Sequence, residues 1–451
     1  MSIPSHPARG WNPTLAASYV PPLAKPKVDT GKVSFTGFLL FLVIMLIPLT
    51  AYKWGRVPLG PLEVHANLLA MAPLLLYVLM VRMSNFPTGA LLCVAVFITM
   101  YTFSVLAGAA YYVSYYQEIL KMGGGVATTV GAALCIRSIK DFRLAVFGIC
   151  LGVVILSFKG FATMTAHIGV NPLELSNENG WSLYSLPPVL LGGLLMMDKS
   201  IAKWLRVFFA VSIAIISVAI LTSANRSGWL GLGLIVGLLM VQGNFIRSAI
   251  LFGIVGVASF FVLTNVFSTK MIESQLDETV EGHTADHLRG ELFLSSMLVG
   301  IENPILGVSP QGLYFELARR VNKHYEGGIV DPHNVVAHLV GGTGLVCSGA
   351  FALFAVLLWR RGRGVKKDFF GRDSARLAHR YLKLLMILWI VRGLFSREIL
   401  YMPVFAAGMG ICIGLCIVEQ VWVPAEKQLA SQAKMPRNLP PGRRQMMRRP
   451  A

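Results

Sequence analysis

Long apolar runs separated by short polar segments constrain the fold of this chain more than any other feature. A helix needs about 20 apolar residues to cross the hydrocarbon core of a membrane, and runs of that order recur between residues 34 and 420. Because lipid offers the backbone no hydrogen-bond partners, such runs are expected to be helical. We therefore predict an all-α fold, a polytopic integral membrane helical bundle with about 12 transmembrane helices. The predicted spans lie near 34–52, 62–81, 87–110, 117–136, 144–165, 181–197, 205–222, 228–245, 248–267, 334–359, 382–398 and 400–420.

The overall composition agrees with this interpretation. The chain has 451 residues, of which 55% are hydrophobic and only 14% are charged, and its mean hydropathy is +0.63. These values are typical of a polytopic membrane protein. All the cysteines fall inside apolar runs, which favours small core residues over a disulfide framework or a metal site. They are Cys93, Cys135, Cys150, Cys347, Cys412 and Cys416.

The basic residues indicate an orientation in the membrane. The formal net charge is +18, and much of it lies in short segments beside apolar runs, as the positive-inside rule requires. We therefore assign the charge to topology, with both termini in the cytoplasm and no nucleic acid as partner. The predicted cytoplasmic loops carry Arg82, Arg137, Lys140, Arg143, Lys199, Lys203, Arg206, Arg247, the segment WRRGRGVKK, and Arg372, Arg376 and Arg380.

Five regions follow from this pattern. Residues 1–33 are polar and proline-dotted, and we expect a disordered cytoplasmic arm without a cleavable signal peptide. Transmembrane helices 1–9 occupy 34–266, and helices 10–12 occupy 334–420. Between them, 267–333 form one long periplasmic loop with ten acidic residues against five basic ones. Residues 421–451 form a basic cytoplasmic tail, expected to lie on the anionic inner leaflet.

Two short helices are predicted within this loop. The sequence TADHLRGELFLSSMLVGIENPILG predicts a helix capped by Thr284 or Asp286 and ending before Pro304, with Arg289 in its first turn. An arginine at that position would join backbone N–H groups in an anion site. The sequence SPQGLYFELARRVNKHY predicts a second, amphipathic helix. That helix either lies on the membrane surface or forms a solvated cover over the bundle.

Charged residues at or inside the apolar runs are further candidates for the site. Arg226 in LTSANRSGWLGLGL lies at a polar break near the predicted outer face, where a charge is costly and usually pairs or serves a function. Lys159 in ILSFKGF and Arg392 in LWIVRGLFS fall within predicted spans. A simple alternative for Lys159 is snorkelling towards the interface, whereas Arg392 lies nearer mid-span.

A histidine and an asparagine stand where the long loop meets the next apolar run. In GGIVDPHNVVAHLVGGTGL, His333 and Asn334 follow Asp331-Pro332, a pair that favours a turn. One interpretation is that they only form the turn or cap that begins the helix. The other is that His333 handles a proton at the mouth of the span, since histidine is the side chain best suited to proton exchange near neutral pH. We expect His338, on a different helical face, to be structural.

The order of these motifs along the chain is more specific than any one of them. The Arg-Ser-Gly break is followed by the long loop, Arg289 with Phe293, NPILGVSPQGLY, and PHNVVAHLVGGTGLV leading into a span. This order resembles the O-antigen ligase and polymerase superfamily of bacterial membrane glycosyltransferases, most strongly over about 177–360. In that superfamily an arginine-aromatic helix, a Pro-hydrophobic-Gly turn and a His-Asn pair recur together. Gly342 in VGGTGL stands where members often carry a glutamate.

The resemblance implies a membrane glycosyltransferase that moves a glycan from a polyprenyl (undecaprenyl) diphosphate donor to an acceptor hydroxyl on the periplasmic side of the inner membrane. Arg289 and Arg226 would hold the diphosphate, because a guanidinium binds phosphate oxygens with two hydrogen bonds. His333 would accept the proton of the acceptor hydroxyl, with Asp331 and Asn334 fixing the orientation of its ring. The other predicted substrate-binding residues are Asn334, Lys159, Arg392 and Asp331.

No metal or other cofactor is expected, and two acceptors are compatible with this chemistry. Since the outer loop contains no Asp-x-Asp pair, we expect arginines rather than a divalent cation to stabilise the negative charge of the leaving diphosphate. The acceptor is the lipid A-core in an O-antigen ligase of lipopolysaccharide assembly, which we take as the first interpretation. In a polysaccharide polymerase the acceptor is a second lipid-linked repeat unit.

A secondary transporter is the alternative from another functional class. A dozen or so spans with buried Lys159 and Arg392 would suit an anion path near the membrane midplane. Against it, the two halves of the chain show no internal repeat, and the polar residues gather in one outer loop. A non-enzymatic scaffold would not require Arg226, Arg289 and His333 on one face.

Overall fold

A computed structural model describes residues 33–48, 56–59, 62–82, 88–112, 115–166, 179–198, 200–222, 226–241, 253, 283–321, 330–361 and 374–433. Gly31–Val421 form one compact unit. The helices are α1 Phe35–Leu46, α2 Ala66–Arg82, α3 Thr88–Ala107, α4 Tyr115–Cys135, α5 Ile139–Ala166, α6 Asn179–Met197, α7 Lys203–Thr222, α8 Arg226–Val241, α9 His283–Glu302, α10 Gly312–Val321, α11 Val335–Arg361, α12 Ser374–Gly393 and α13 Pro403–Ala433. Short 3-10 helices cover Ala109–Tyr111 and Arg397–Leu400, and two strands, β1 Arg56–Leu59 and β2 Leu62–His65, pair antiparallel.

The structure confirms a helical membrane protein. Each predicted span except 248–267, which lies almost wholly outside the described residues, overlaps a helix. Four helices are long and apolar enough to cross a membrane, at Thr88–Ala107, Ile139–Phe158, Lys203–Leu221 and Val335–Arg360. Shorter apolar helices lie at Phe35–Leu46, Leu68–Met80, Trp181–Met197, Ser227–Met240 and Pro403–Val418. The full set of 12 spans stays a prediction.

Several boundaries differ from the sequence prediction, and three of them show why. The span predicted at 62–81 begins with a strand, because Leu62–His65 alternates apolar and polar residues, a strand pattern. The predicted span 382–398 is interrupted, since α12 ends at Gly393 and a 3-10 helix begins at Arg397. The last helix continues to Ala433, past the predicted end near 420. The predicted arm at 1–33 lies outside the described residues except for Val33.

The first helix shows how the bundle is fixed at one end. Ser34 caps α1, where its Oγ accepts a hydrogen bond from Gly37 N at 3.0 Å. The Asp141 carboxylate in α5 accepts from Ser34 N at 2.8 Å and from Ser34 Oγ at 2.9 Å. Gly37 leaves the space for this carboxylate, because a Cβ there would lie 2.3 Å from Asp141 Oδ1. A buried carboxylate therefore joins α1 to α5 through satisfied hydrogen bonds.

Side-chain contacts bring several helix ends together in two sets. At one end, Thr36 Oγ1 donates to Cys135 O at 3.2 Å, and Arg143 forms an ion pair with Asp198 at 3.0 Å. These residues begin α1, end α4, begin α5 and follow α6, all ends that we predicted to face one side. At the other end, side chains from α3, from the start of α4 and from the segment before α13 meet, as described below for the candidate site. The buried core between the two ends is largely apolar, with buried polar residues such as Ser157, Ser212 and Arg392 among the aliphatic and aromatic side chains.

The loop helices α9 and α10 form a small core of their own. It contains Leu292, Val299, Leu313, Leu317, Ala318 and Val330. As predicted, α9 ends at Glu302, before Pro304. The prediction of its start was wrong, since the helix begins at His283 and Thr284 and Asp286 lie inside it. Arg289 therefore lies in the second turn of α9. The free backbone N–H groups of a helix lie in its first turn, where Arg289 was predicted.

The loop between α9 and α10 breaks the hydrogen-bond ladder of α11. Leu345 N donates to Pro304 O at 2.7 Å, although a regular helix would pair it with Gly341 O. Gly341 O instead accepts from Val308 N at 3.2 Å. The break coincides with Gly344, whose φ of 78° lies in the left-handed region that glycine tolerates best. Inserted groups of this kind are a known cause of helix kinks.

Glycine at position 342 has a steric explanation in this packing. A Cβ on Gly342 would lie 3.0 Å from Pro310 Cα, so a side chain as large as glutamate would collide with the loop. The carbonyl of Gly342 also accepts a hydrogen bond from Ser104 Oγ in α3 at 2.9 Å. Glycine at this position thus permits the close approach of this loop to α11.

Candidate functional site

His333 lies on the short segment that leads into α11, beside a carboxylate. Its backbone N donates to Asp331 Oδ1 at 2.9 Å, and its Nδ1 lies 3.5 Å from Asp331 Oδ2. The His333 side chain is 48% exposed, so a substrate can reach the ring. The residue adopts φ 46°, which is uncommon outside glycine. The Asp331 hydrogen bond to the backbone helps to hold this conformation.

Arg397 completes the group around Asp331. Its Nε donates to Asp331 Oδ2 at 2.7 Å, and its guanidinium carbon lies 4.4 Å from the centre of the Tyr314 ring. The aspartate is thus held between an arginine and a histidine, and the arginine is supported by an aromatic face. We refer to His333, Asp331 and Arg397 as the His-Asp-Arg group.

The sequence analysis missed Arg397 because it placed this residue inside a span. Sixty-six positions separate Arg397 from Asp331, and nothing local in the sequence predicts that contact. One signal was available: Gly393 and the charged pair Arg397-Glu398 interrupt the apolar run, which indicates that the helix ends early.

Asn334 is a helix cap in this structure. Its Oδ1 accepts hydrogen bonds from Val336 N at 2.8 Å and Ala337 N at 3.1 Å. Its Nδ2 donates to Leu394 O at 3.2 Å, which ties the start of α11 to the end of α12. The cap interpretation of the His-Asn pair therefore holds for Asn334, and these bonds give Asn334 no contact with the ring that it was expected to orient.

His338 belongs to a buried chain of hydrogen bonds. It is 0% exposed, with Nε2 2.9 Å from Tyr401 Oη and Nδ1 3.5 Å from Tyr314 Oη. Tyr401 Oη lies 3.0 Å from Tyr101 Oη, which donates to Glu118 at 3.0 Å. We call this set, Tyr314, His338, Tyr401, Tyr101 and Glu118, the tyrosine chain. Its position agrees with the structural role expected for His338.

The tyrosine chain reaches the His-Asp-Arg group through Tyr314. That side chain is buried in α10, contacts His338 on one side and supports Arg397 on the other. Because every member is held by its neighbours, the position of Arg397 depends on residues in α3, α4, α10 and α11 and on Tyr401, which follows the 3-10 helix. Buried polar networks of this kind fix a unique arrangement when all members are satisfied.

The connection between α3 and α4 anchors the same region from outside. Tyr112 Oη accepts a hydrogen bond from Gln311 N at 3.0 Å, just before α10. Burial raises the pKa of the Tyr112 phenol, so the ring stays neutral while it accepts this bond. Tyr111 stacks on Phe315 with ring centres 5.5 Å apart. These contacts fix α10, and with it Tyr314, against the bundle.

The three other predicted basic residues are placed as follows. Arg289 is exposed in the second turn of α9. Arg226 is the first residue of α8, and Lys159 lies within α5; the described side chains do not include these two.

Arg392 is buried, but it lies in the last turn of α12, so the prediction that placed it near mid-span was wrong. It is 1% exposed, and its Nη2 donates to Ser182 Oγ in α6 at 3.0 Å. A Cβ on Gly231 in α8 would lie 3.4 Å from Arg392 Cδ. The side chain therefore packs between α6 and α8. Its Nε and Nη1 have no hydrogen-bond partner among the described residues, an arrangement that is costly for a charged group.

The cysteines fulfil their predicted role, since all six are free and buried. Among the described residues, no group of three or more histidine, cysteine, aspartate or glutamate side chains is arranged to hold a metal ion.

The comparison with known protein families matches this part of the chain. A family described as O-antigen ligase matches residues 209–352, a range that contains Arg226, α9, α10, Asp331 and His333. None of the curated proteins compared with the chain matches it. The match supports a membrane protein of the O-antigen ligase and polymerase type, with the glycosyltransferase activity that this family implies. The resemblance that the motifs indicated, to the O-antigen ligase and polymerase superfamily, is thus confirmed over 209–352.

Proposed function

We propose that the protein transfers a glycan from a polyprenyl diphosphate to an acceptor hydroxyl on the periplasmic face of the bacterial inner membrane. The observation that carries the proposal is the His-Asp-Arg group, an exposed histidine whose ring and backbone are both held by one aspartate. Two of its members lie in the region that matches the O-antigen ligase family. The orientation follows the predicted topology of about 12 spans with cytoplasmic termini.

His333 acts as the general base. With Asp331 beside Nδ1, the proton of a neutral ring is favoured on Nδ1, which leaves Nε2 as the acceptor. The acceptor O–H bond breaks as its oxygen bonds to the anomeric carbon, and the proton passes to Nε2. The bond between that carbon and the diphosphate breaks with its electron pair, and the carrier leaves as polyprenyl diphosphate.

Arginine side chains stabilise the negative charge of the leaving diphosphate. We assign this role to Arg289 and Arg226, because the planar guanidinium pairs with two phosphate oxygens and keeps its charge at any physiological pH. Arg289 is exposed on α9, the loop helix that packs against α11. In this scheme Lys159 and Arg392 bind substrate from inside the bundle. No step requires a metal ion.

Transfer of a labelled glycan tests this function. The reconstituted protein is mixed with a labelled polyprenyl diphosphate glycan, with or without the lipid A-core, and the products are separated. Label on the lipid A-core indicates the ligase, which we take as the first form of the proposal. Growth of the glycan with donor alone indicates a repeat-unit polymerase with the same donor chemistry. If neither mixture releases the diphosphate carrier, the protein is not this enzyme, and a transporter becomes the better interpretation.

Replacement of the base gives the sharper test. His333→Ala is expected to slow single-turnover transfer by about 100- to 10,000-fold while donor binding is retained, since general-base catalysis contributes that much. Arg319→Ala, which removes a 79% exposed side chain from the same loop, is the matched control and should transfer normally. Near-normal transfer by His333→Ala would reduce the histidine to a turn residue.

A further inference from the structure

Helix α9 carries apolar residues on two opposite faces. One face packs into the small core of the loop helices through the buried side chains of Leu292 and Val299. The opposite face bears exposed large apolar side chains at helical spacing, namely Leu294, Leu298, Ile301 and, just after the helix, Ile305. We call these four residues the α9 stripe. Contiguous exposed apolar patches mark a contact with a protein partner or with a membrane.

The sequence around the α9 stripe is almost free of charge. Between Glu291 and Glu316, Glu302 is the one charged residue in the sequence. Its carboxylate forms an ion pair with Arg320 of α10, so it is not an isolated charge. Since charged side chains near hydrocarbon are costly and usually paired, this composition is compatible with contact between the stripe and lipid.

Helix α3 provides a measure of depth in the membrane. Its 20 residues, Thr88–Ala107, extend over about 30 Å, which equals the thickness of the hydrocarbon core. The last residue of α3 therefore marks one edge of that core. Helix α11 runs antiparallel to α3, since Ser104 Oγ donates to Gly342 O at 2.9 Å and the Cys347 thiol donates to Phe97 O at 3.6 Å. Gly342 thus lies at the level of Ser104, about 5 Å inside the edge.

The 303–310 segment reaches further into the core. Ile305 lies against α11, where a Cβ on Gly344 would be 2.8 Å from Ile305 O. Because Gly344 is two residues beyond Gly342 in α11, Ile305 lies about 7 Å inside the edge. The 303–310 segment is therefore at a depth where an exposed side chain meets acyl chains.

The backbone of the 303–310 segment is bonded as an immersed loop requires. Irregular backbone at membrane depth is tolerated only where the protein satisfies its polar groups. Val308 N donates to Gly341 O at 3.2 Å, and Gly307 N donates to Asn303 O at 3.0 Å. The two prolines of the segment have no N–H group to satisfy. These hydrogen bonds reduce the cost of placing the turn inside the hydrocarbon.

The neighbours of the α9 stripe at this depth identify its partner as lipid. Helices α3 and α11 are long and apolar enough to cross a membrane. At the same level they expose large apolar side chains, namely Phe103, Leu106, Leu345 and Val346. Exposed apolar side chains on a membrane-spanning helix contact acyl chains, because those chains fill the hydrocarbon core. The stripe lies at the same level, so the same solvent covers it.

We propose that α9, the 303–310 segment and α10 form a re-entrant hairpin whose α9 stripe contacts the acyl chains of the bilayer. Helix α10 is the returning arm, since Tyr314 lies beside His338, which is nearer the start of α11 than Gly341 is. In the predicted topology the hairpin enters the periplasmic leaflet, so part of the predicted periplasmic loop 267–333 is immersed. The inference follows from packing and depth, and it does not rest on the transfer reaction.

Spin labels on introduced cysteines report which solvent covers each side chain. Leu298→Cys and Ile305→Cys place the label on the α9 stripe. Arg319→Cys is the matched control in the same hairpin, because that side chain is 79% exposed and lies on the charged side of α10. Leu353→Cys, at an exposed position within α11, provides the lipid reference. Lipid nanodiscs leave both membrane faces open to soluble reagents.

Labels at Leu298 and Ile305 should collide with oxygen more often than with a water-soluble nickel chelate, as at Leu353. The label at Arg319 should show the reverse preference, and Ile305 should lie deeper than Leu298. Chelate collisions at Ile305 as frequent as at Arg319 would overturn the proposal, since the stripe would then lie in water. Few collisions with either reagent would also overturn it, because a protein partner or a second copy would then cover the stripe.

The unlabelled cysteine variants give a second measurement. A water-soluble maleimide reacts with the thiolate, which an apolar environment disfavours. It should modify Arg319→Cys and leave Ile305→Cys and Leu298→Cys unmodified in nanodiscs, while all three should react alike after unfolding in detergent. Equal modification of the folded variants would contradict the hairpin. These results in protein that lacks transfer would leave the hairpin correct and the proposed function wrong.

Discussion

Arg397→Gln is expected to slow glycan transfer while leaving donor binding largely unchanged. The substitution removes the hydrogen bond from Arg397 Nε to Asp331 and the stacking on Tyr314. It does not alter the chemical structure of His333 itself. Asp331 then loses one of the two residues that contact its carboxylate, and the His333 ring becomes less well oriented. Arg397 thus acts on the reaction through Asp331, as a positioning residue.

The size of the effect follows from the burial of this ion pair. The Arg397 and Asp331 side chains are 24% and 21% exposed, so the pair is screened less than a surface pair. A hydrogen bond to a charged group contributes about 1.5–3 kcal/mol, which partial exposure reduces to about 1–2 kcal/mol. Such an energy corresponds to a factor of about 5–30. We therefore expect single-turnover transfer to fall by about tenfold.

Single-turnover transfer and equilibrium donor binding on the same preparations separate positioning from folding. Asp331→Asn should show a similar loss, and the double variant should be little worse than either single one, because residues in one network are not additive. Arg397→Lys keeps the charge without the planar fork and should recover only part of the rate. Arg319→Gln, on an exposed side chain, should be normal. Wild-type transfer by Arg397→Gln would refute the positioning role.

Three further predictions concern packing and topology. Gly344→Ala should lower the thermal unfolding temperature, because φ at this position is 78° and a Cβ would lie 2.8 Å from Ile305 O. Gly349→Ala is the control and should not lower it, since a Cβ there would meet nothing within 4 Å. Equal stability of the two variants would contradict the break in α11. Tyr401→Phe should lower the free energy of unfolding by about 1–3 kcal/mol, since His338 and Tyr101 each lose a hydrogen-bond partner. Tyr77→Phe, at an exposed side chain, should leave the free energy of unfolding unchanged. Denaturant unfolding measures both, and equal values for the two variants would show that the tyrosine chain adds nothing to stability. A cysteine introduced at Thr284 should react with a membrane-impermeant thiol reagent in spheroplasts, and one introduced at Gly364 should not. The background reaction should be low because all native cysteines are buried. The opposite labelling pattern would reverse the topology and contradict the proposed mechanism.

The helices were predictable because their cause is local. Apolar runs of span length must hydrogen-bond internally wherever lipid surrounds them, so α3, α5, α7 and α11 follow from composition alone. The contact between Asp331 and His333 was also predictable, because the two residues are only two positions apart in the sequence. Arg289 was misplaced by about one turn, because caps several residues apart compete for the same helix start.

Contacts between distant segments were not predictable. Arg397 reaches Asp331 only because α12 ends early and α11 begins beside it. The tyrosine chain joins Tyr101 to Tyr401 across 300 positions, and a single tyrosine in an apolar run gives no sign of its partner. Sequence reasoning therefore found the titratable residue of the site but missed the residues that hold it.

The break in α11 couples the loop to the shape of a helix that is apolar enough to cross the membrane. Gly344 lies nine residues after the start of α11, about 14 Å along the axis, where lipid would leave unpaired backbone groups unsatisfied. Before the loop docks, Leu345 N can pair only with Gly341 O, as in a straight helix. Docking exchanges that one bond for two, to Pro304 O and from Val308 N. The 303–310 loop therefore supplies the two hydrogen bonds that replace the regular bond of α11 at its break, so the geometry of the helix at Gly344 depends on the position of this loop.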